Sequence, residues 1–266
     1  MRENMRGTEL IAEINGNVSV SEKSCDILLN PECDRTLTRV AVSMFATVEI
    51  LQQAKDWGAD LLIVHEPVLL QNAEAQASRA KAERVRSVGF PIYRDHDHAH
   101  ASDPDLITEG GLRALGLHGK IEKTPYYASY LFQSDTTVTA RELLNRMQHG
   151  LGLRYVRLAG EMDHPASRLA VCFGAPGGVY ELLCREDVEI LLVGEACEWN
   201  LCEYARDAAA LGFHKSVIVM GHIGSEREGM KLLAERIAHR HPELEVRYFE
   251  CGEVFAAGGT RTEMPD

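Results

Sequence analysis

Two short runs constrain the fold of this chain more than anything else in it. Leu61-Leu-Ile-Val64 and Ser216-Val-Ile-Val-Met220 are apolar almost throughout, and a strand without a polar face is covered on both sides, as in a parallel sheet flanked by helices. Each run gives way to a histidine with a carboxylate close behind: His65 and Glu66 in the first, His222 and Glu226 in the second. Open α/β sheets gather ligands beyond the carboxyl ends of their strands. Two such ends, far apart in the chain, point to one metal site assembled from both. Between them lies Asp95-His-Asp-His-Ala-His100, the densest run of potential ligands in the sequence.

The rest of the chain alternates in the same way. Strands are expected over residues 39–43, 61–64, 127–132, 168–173, 189–193, 216–220 and 245–249. Helices are expected over 47–57, 73–88, 139–147, 200–210 and 225–238, with another starting at Asp103-Pro-Asp105 and carrying Leu106, Leu112 and Leu115. Elements alternating at these lengths give an α/β fold with mostly parallel sheets. There is also an internal echo. Residues 39–66 can be laid on 168–195 without a gap, so that Arg39, Ala41 and Val42 meet Arg168, Ala170 and Val171, and Leu62, Val64 and Glu66 meet Leu191, Val193 and Glu195. Two valine-rich strands can agree by chance; agreement in phase at both ends favours a duplicated βαβ unit. The expectation is two similar α/β halves, 1–124 and 125–266, with the C-terminal strand free to pack on the first half. The tail after Ala256, with paired glycines and polar residues, reads as a frayed end.

Composition removes several classes. Acidic residues outnumber basic ones 40 to 28, for a formal charge of −12, and no basic run offers a footprint for nucleic acid. The balance suits attraction of cations and, equally, plain solubility. No apolar stretch approaches the roughly 20 residues of a membrane helix, and the opening Met1-Arg-Glu-Asn-Met-Arg-Gly7 does not read as a secretory signal. Seven cysteines at irregular spacings do not make a disulfide framework. Cytoplasmic location is therefore expected, with Cys172 and Cys184 buried in apolar surroundings.

The ligand candidates each have a plainer reading. His222 and Glu226 stand four apart where a strand passes into a helix expected to begin at Ser225, and the bend can bring both to one cation; Glu226 can equally serve the helix N-terminus. His65 and Glu66 are adjacent, so on a strand they face opposite ways, and one metal suits both only if the backbone turns at Pro67. Otherwise His65 is a hydrogen-bonded core residue. Period-two spacing puts His96, His98 and His100 on one face, and three imidazoles on one cation is good zinc chemistry; a helix start would scatter them differently. Gly174-Ala-Pro-Gly-Gly178 can cradle an anion but lacks the lysine of a P-loop.

Taken in order, these residues resemble the ring-forming dinuclear-metal proteins known as GTP cyclohydrolase 1 type 2 homologues, or NIF-three-like proteins. The resemblance covers most of the chain: residues 39–67 with Gly58-Ala-Asp60 and His65-Glu-Pro67, residues 92–117 with Gly110-Gly111, then Gly194-Glu195, and Gly221-His222 through Glu226, the most specific element. It implies that His65, His222 and Glu226 are ligands. The family's second histidine is Glu66 here, the leading histidine of its second element matches His96, and the aspartate of that element is His100. One histidine has become acidic and one acid a histidine, which keeps the total charge. Cys25-Asp-Ile-Leu-Leu-Asn30 stands where members carry a tryptophan-containing segment.

The same resemblance implies a metal cleft between the two halves and two divalent ions per chain, with zinc, iron, manganese or nickel all compatible with the ligand types. The ions would be held by His65, Glu66, His100, His222 and Glu226, with His96 a ligand or a catalytic proton carrier. It also implies a homo-oligomer, a hexameric ring. Two functions follow as expectations: a metal-dependent hydrolase of a small nucleotide-like or cyclic-amide substrate, or a non-catalytic metal carrier or oligomeric adaptor.

Overall fold

The computed structural model describes residues 5–256; the tail beyond Ala256 and the first four residues lie outside it. The first part of the chain runs α1 (Gly7–Asn15), β1 (Ile27–Leu29), β2 (Arg39–Ser43), α2 (Val48–Trp57), β3 (Leu61–Val64), α3 (Gln76–Arg86), β4 (Ile92–Arg94), α4 (Asp97–Ala101) and α5 (Leu106–Ala114). It continues through β5 (Gly119–Lys123), β6 (Tyr130–Val138), α6 (Ala140–Asn145), β7 (Arg157–Gly160), β8 (Ala166–Cys172), α7 (Val179–Leu183), β9 (Ile190–Val193), α8 (Glu203–Ala210), β10 (Ser216–Val219), α9 (His222–Arg240) and β11 (Glu245–Tyr248). Among the described residues no helix is long and apolar enough to cross a membrane.

Local chemistry sets the boundaries. The Thr47 side chain accepts from the Ile50 N–H and starts α2, and Gly58, left-handed at φ 77°, ends it. β3 is buried at every position, as are β9 and β10. Helix α9 begins at His222 rather than Ser225, because Gly221 at φ 81° makes the turn directly off β10. All seven cysteines are free; Cys172 is buried as expected, but Cys184 at the end of α7 is exposed.

The strands form two sheets, ordered β1-β4-β3-β2-β11 and β5-β6-β8-β9-β10-β7. The first is parallel apart from edge strand β1, and the second has a parallel centre, β8-β9-β10, with antiparallel flanks. The internal echo is visible in the register. Val40 pairs with Leu61 in the first sheet, and their counterparts Leu169 and Ile190 pair in the second. β4 then adds beside β3 as β10 adds beside β9, and each is bordered by an antiparallel strand, β1 or β7. Two four-stranded units of the same topology follow one another in the chain.

β11 and the α5–α9 crossing are two of the contacts that lace them together. β11 returns to pair in parallel with β2, completing the first sheet. Helices α5 and α9 cross with their backbones touching: a Cβ on Gly110 would strike the Gly229 backbone, and one on Gly229 would strike Ile107. The largest apolar core joins residues of both sheets, from Val40 and Ile63 to Leu169, Leu192 and Ile218.

Candidate metal centre

Four parallel strands deliver the site from their carboxyl ends. His65 and Glu66 follow β3, Asp95 and His96 follow β4, Glu195 lies just past β9, and His222 just past β10. The chain then turns into α4 or α9, so that His96 and His100, and likewise His222 and Glu226, sit one helical turn apart. The period-two expectation for the histidine run therefore fails. Asp26 accepts the backbone N–H groups of His96, Asp97 and His98 at 2.7, 2.8 and 3.0 Å, and this grip winds the run into a helix. His98 turns away and holds Asp26 through Nδ1 at 2.6 Å.

The other imidazoles share one mode of attachment. His65 Nδ1 donates to the Asp95 carbonyl at 2.8 Å; a carbonyl only accepts, so Nε2 carries the lone pair. His100 Nδ1 donates to Asp105 Oδ2 at 2.9 Å, His96 Nδ1 faces Asp97 Oδ1 at 2.8 Å, and His222 Nδ1 faces Glu195 Oε1 at 2.7 Å. An imidazole anchored through Nδ1 to an acceptor is oriented and made more basic as a metal ligand through Nε2. Burial, reinforced by the positive potential of His100 and His96, holds His65 well below the ordinary histidine range. It stays neutral, as a ligand must. Burial works against a charge on His100 as well, but Asp105 outweighs it and the net direction is up.

The carboxylates face the imidazoles. Glu226 is buried, with Oε2 3.2 Å from His222 Nε2 and 3.8 Å from His65 Nε2. Gly174, at φ 69°, lets it in: a Cβ there would collide with Glu226 Oε1. The Gly174–Gly178 loop thus helps to wall the site. Glu66 Oε1 lies 2.7 Å from His222 Nε2, and its other oxygen lies 3.6 Å from Arg94. Burial opposes charge on both partners, yet Glu66 is drawn below the usual carboxylate range by His222. His222 is in turn pushed up to about 11 by Glu226 and Glu66. Two glutamates thus concentrate negative potential at one imidazole nitrogen, where a positive charge is strongly favoured.

His65, Glu66, His96, His100, His222 and Glu226 are thereby brought together. His65 with His96 and His100, and His65 with Glu66 and Glu226, each offer ligand atoms within 4.8 Å of one another. His65 Nε2 is buried without a hydrogen-bond partner, a costly arrangement that a bound cation would relieve. The donor set fits a borderline divalent ion. Sequence reasoning passed over the residues that orient these ligands. Asp105 is legible in the sequence only as a helix start, Glu195 only as the echo partner of Glu66 and part of the Gly194-Glu195 element, and Asp26 only as a member of the 25–30 segment, with no orienting role attached to any of them. A cavity of about 230 Å³ opens over the ligands, lined by Glu66, His96, His100, His222 and Glu226 with Tyr127, Phe173 and Pro176 among its walls.

The family model of Duf34/NIF3 (NGG1p interacting factor 3) matches residues 27–252. The chain belongs to this family. A relative from Yersinia pestis, named GTP cyclohydrolase 1 type 2 homolog, is 24% identical over 254 residues, covering 92% of this chain and 98% of the relative. Among solved structures, the protein ybgI, described as of unknown function, superposes with a TM-score of 0.74 at 22% identity over 94% of this chain and 99% of its own. A Bacillus cereus protein related to NIF3 gives 0.73 at 12% identity over 96% and 100%. At these identities the solved structures establish the shared NIF3 fold.

Proposed function

We propose that this NIF3 family chain holds two divalent metal ions and uses them to hydrolyse a small cyclic-amide or nucleotide-like substrate. The observation that carries the reading is the common attachment of His65, His96, His100 and His222 through Nδ1, which commits one nitrogen of each ring to an acceptor. His65, His96 and His100 would form one side of the centre, and Glu66, His222 and Glu226 the other. Ions bound there would supply Lewis acidity and an ionised water at neutral pH. We read His96 as a third nitrogen ligand, since its ring stacks on His65 with centroids 4.6 Å apart.

The cavity of about 230 Å³ is smaller than the roughly 300–1,000 Å³ of common ligand sites. It admits a ring or an amide group and leaves the remainder of a nucleotide outside. Tyr127, Phe173 and Pro176 would shield the reacting group from water on that side. The name of the Yersinia pestis relative, GTP cyclohydrolase 1 type 2 homolog, supports ring-opening hydrolysis as the reaction class. The second reading, a metal carrier, is favoured by one observation. Among the described residues, every titratable group lining the cavity except Tyr127 is a candidate ligand, so no separate general base stands there.

Protein purified without added metal should carry two divalent ions per chain, and Glu66→Ala about one or fewer. Metal-loaded protein should release product from a panel of nucleotides and cyclic amides. Full metal content without product from any of them, and with transfer to an apo-acceptor, would replace hydrolase by carrier. We also propose a hexameric ring, for which light scattering should give a mass well above a dimer at several salt concentrations; a monomer throughout would contradict it.

A further inference from the structure

Beside this centre lies a group of donors of which the proposed function uses only His96, held there by Asp97. Cys25 stands just before β1, in the segment where the sequence departs from the family pattern. Asp26 grips the start of α4 and so docks Cys25 onto Asp97. The Cys25 N–H donates to Asp97 Oδ2 at 2.9 Å, and its thiol lies 3.4 Å from Asp97 Oδ1. The same Oδ1 accepts from His96 Nδ1 at 2.8 Å and from the Tyr127 hydroxyl at 2.9 Å. One sulfur, one imidazole nitrogen and one carboxylate oxygen thus stand within 4.8 Å of one another. All three residues are half-buried, whereas His65 and His100 are buried.

We propose that Cys25, His96 and Asp97 form an outer metal site for a thiophilic divalent ion of the zinc class. Thiolate, imidazole and carboxylate on one ion is a zinc-type ligand set, and the sulfur supplies a softness that the inner nitrogen and oxygen donors lack. Three donor protons now converge on Asp97 Oδ1. A cation at that point would displace the thiol proton and the one between His96 and Asp97 to solvent, while the Tyr127 hydroxyl keeps its proton and its hydrogen bond to Asp97. The carboxylate needs no proton removed. His96 also explains why the site sits here. It faces the outer set through Nδ1, leaving its second nitrogen for His65 and His100. The outer site shares that one ring with the inner centre and is otherwise independent of it.

Cobalt(II) titration of chelator-treated full-length protein tests this. A thiolate ligand produces an intense near-ultraviolet sulfur-to-cobalt charge-transfer band, which sites built only from nitrogen and oxygen do not. The band should saturate at one ion per chain, disappear on adding equimolar zinc, persist in excess magnesium, and be lost in Cys25→Ser. Serine keeps the size and a hydroxyl for Asp97, and the visible cobalt bands of the inner centre should remain in that variant. Visible bands with no charge transfer at saturation would overturn the outer site and leave the inner centre standing. Charge transfer that survives in Cys25→Ser would belong to another of the free cysteines and would overturn it equally. Charge transfer with no further cobalt bound in the wild type would count against the inner centre alone.

Discussion

Asp105→Asn removes one charge from a residue that touches no candidate ion, and it should still cost the protein either metal affinity or the cap of α5. Asp105 is buried, and its two oxygens have separate duties. Oδ1 accepts the Thr108 N–H at 2.8 Å and caps α5, while Oδ2 accepts from His100 Nδ1 and from the Tyr130 hydroxyl, each at 2.9 Å. Asparagine has one oxygen for both duties. If that oxygen turns to His100, the amide NH₂ confronts the Thr108 N–H and the cap is lost, at about 1 kcal/mol. If it turns to Thr108, the NH₂ donates to His100 Nδ1, forces the proton onto Nε2 and blocks the ligand atom. Loss of such an orienting partner weakens metal affinity about 10- to 100-fold, or roughly 1.4–2.8 kcal/mol. Competition of the loaded protein against a chelator of known affinity gives the first number, and urea unfolding of the metal-free protein gives the second. An Asp105→Asn protein with both wild-type metal affinity and wild-type stability would refute the claim that Asp105 orients His100 to bind through Nε2.

Two other substitutions probe the surroundings. Gly174→Ala should cost about 1–2 kcal/mol through its left-handed backbone and, by driving Glu226 out of place, lower the metal content; wild-type content on elemental analysis would show that Glu226 is not needed there. Asp95 is buried, and burial with the nearby Asp26 charge pushes its pKa up to about 7, above the roughly 3.9 of an unfolded aspartate. A folded-state pKa raised in this way stabilises below the unfolded value and loses that contribution as pH rises through 7. Asp95→Asn should therefore match the wild type near pH 4 and exceed it above pH 7, by up to roughly 4 kcal/mol; equal Tm differences at the two pH values would rule the argument out.

What could be read from the sequence was what local periodicity encodes. Strand ends at Val64 and Val219 placed His65 and His222 correctly, because an unbroken apolar run has only one way to sit in a covered sheet. The ungapped echo between residues 39–66 and 168–195 reappears as identical register in two sheets. The course of 95–100 was not legible. Its helix depends on Asp26, about seventy residues earlier, and no local pattern reports a cap from such a distance. The antiparallel borders β1 and β7 were missed for a related reason: they are short and only partly buried, so neither periodicity nor composition marks them. Glu195 shows the limit from the other side. Its echo with Glu66 is legible in the sequence, but that both close on one imidazole, at 2.7 Å each, depends on how the two sheets are placed together.

The pairing of β11 with β2 has a consequence for the order in which this protein can be made. On a ribosome, β1 to β4 emerge early, but the open edge of β2 has no partner until residues 245–248 have been synthesised. Until then an apolar strand edge is exposed, the kind of surface that recruits other chains. α9, which carries His222 and Glu226 and crosses α5 at Gly110 and Gly229, also arrives late. The nascent first sheet therefore presents His65, Glu66, His96 and His100 to the cell before Glu195, His222 and Glu226 exist to complete the cage. An ion held early by these histidines would tie the strand ends of β3 and β4 together through that interval.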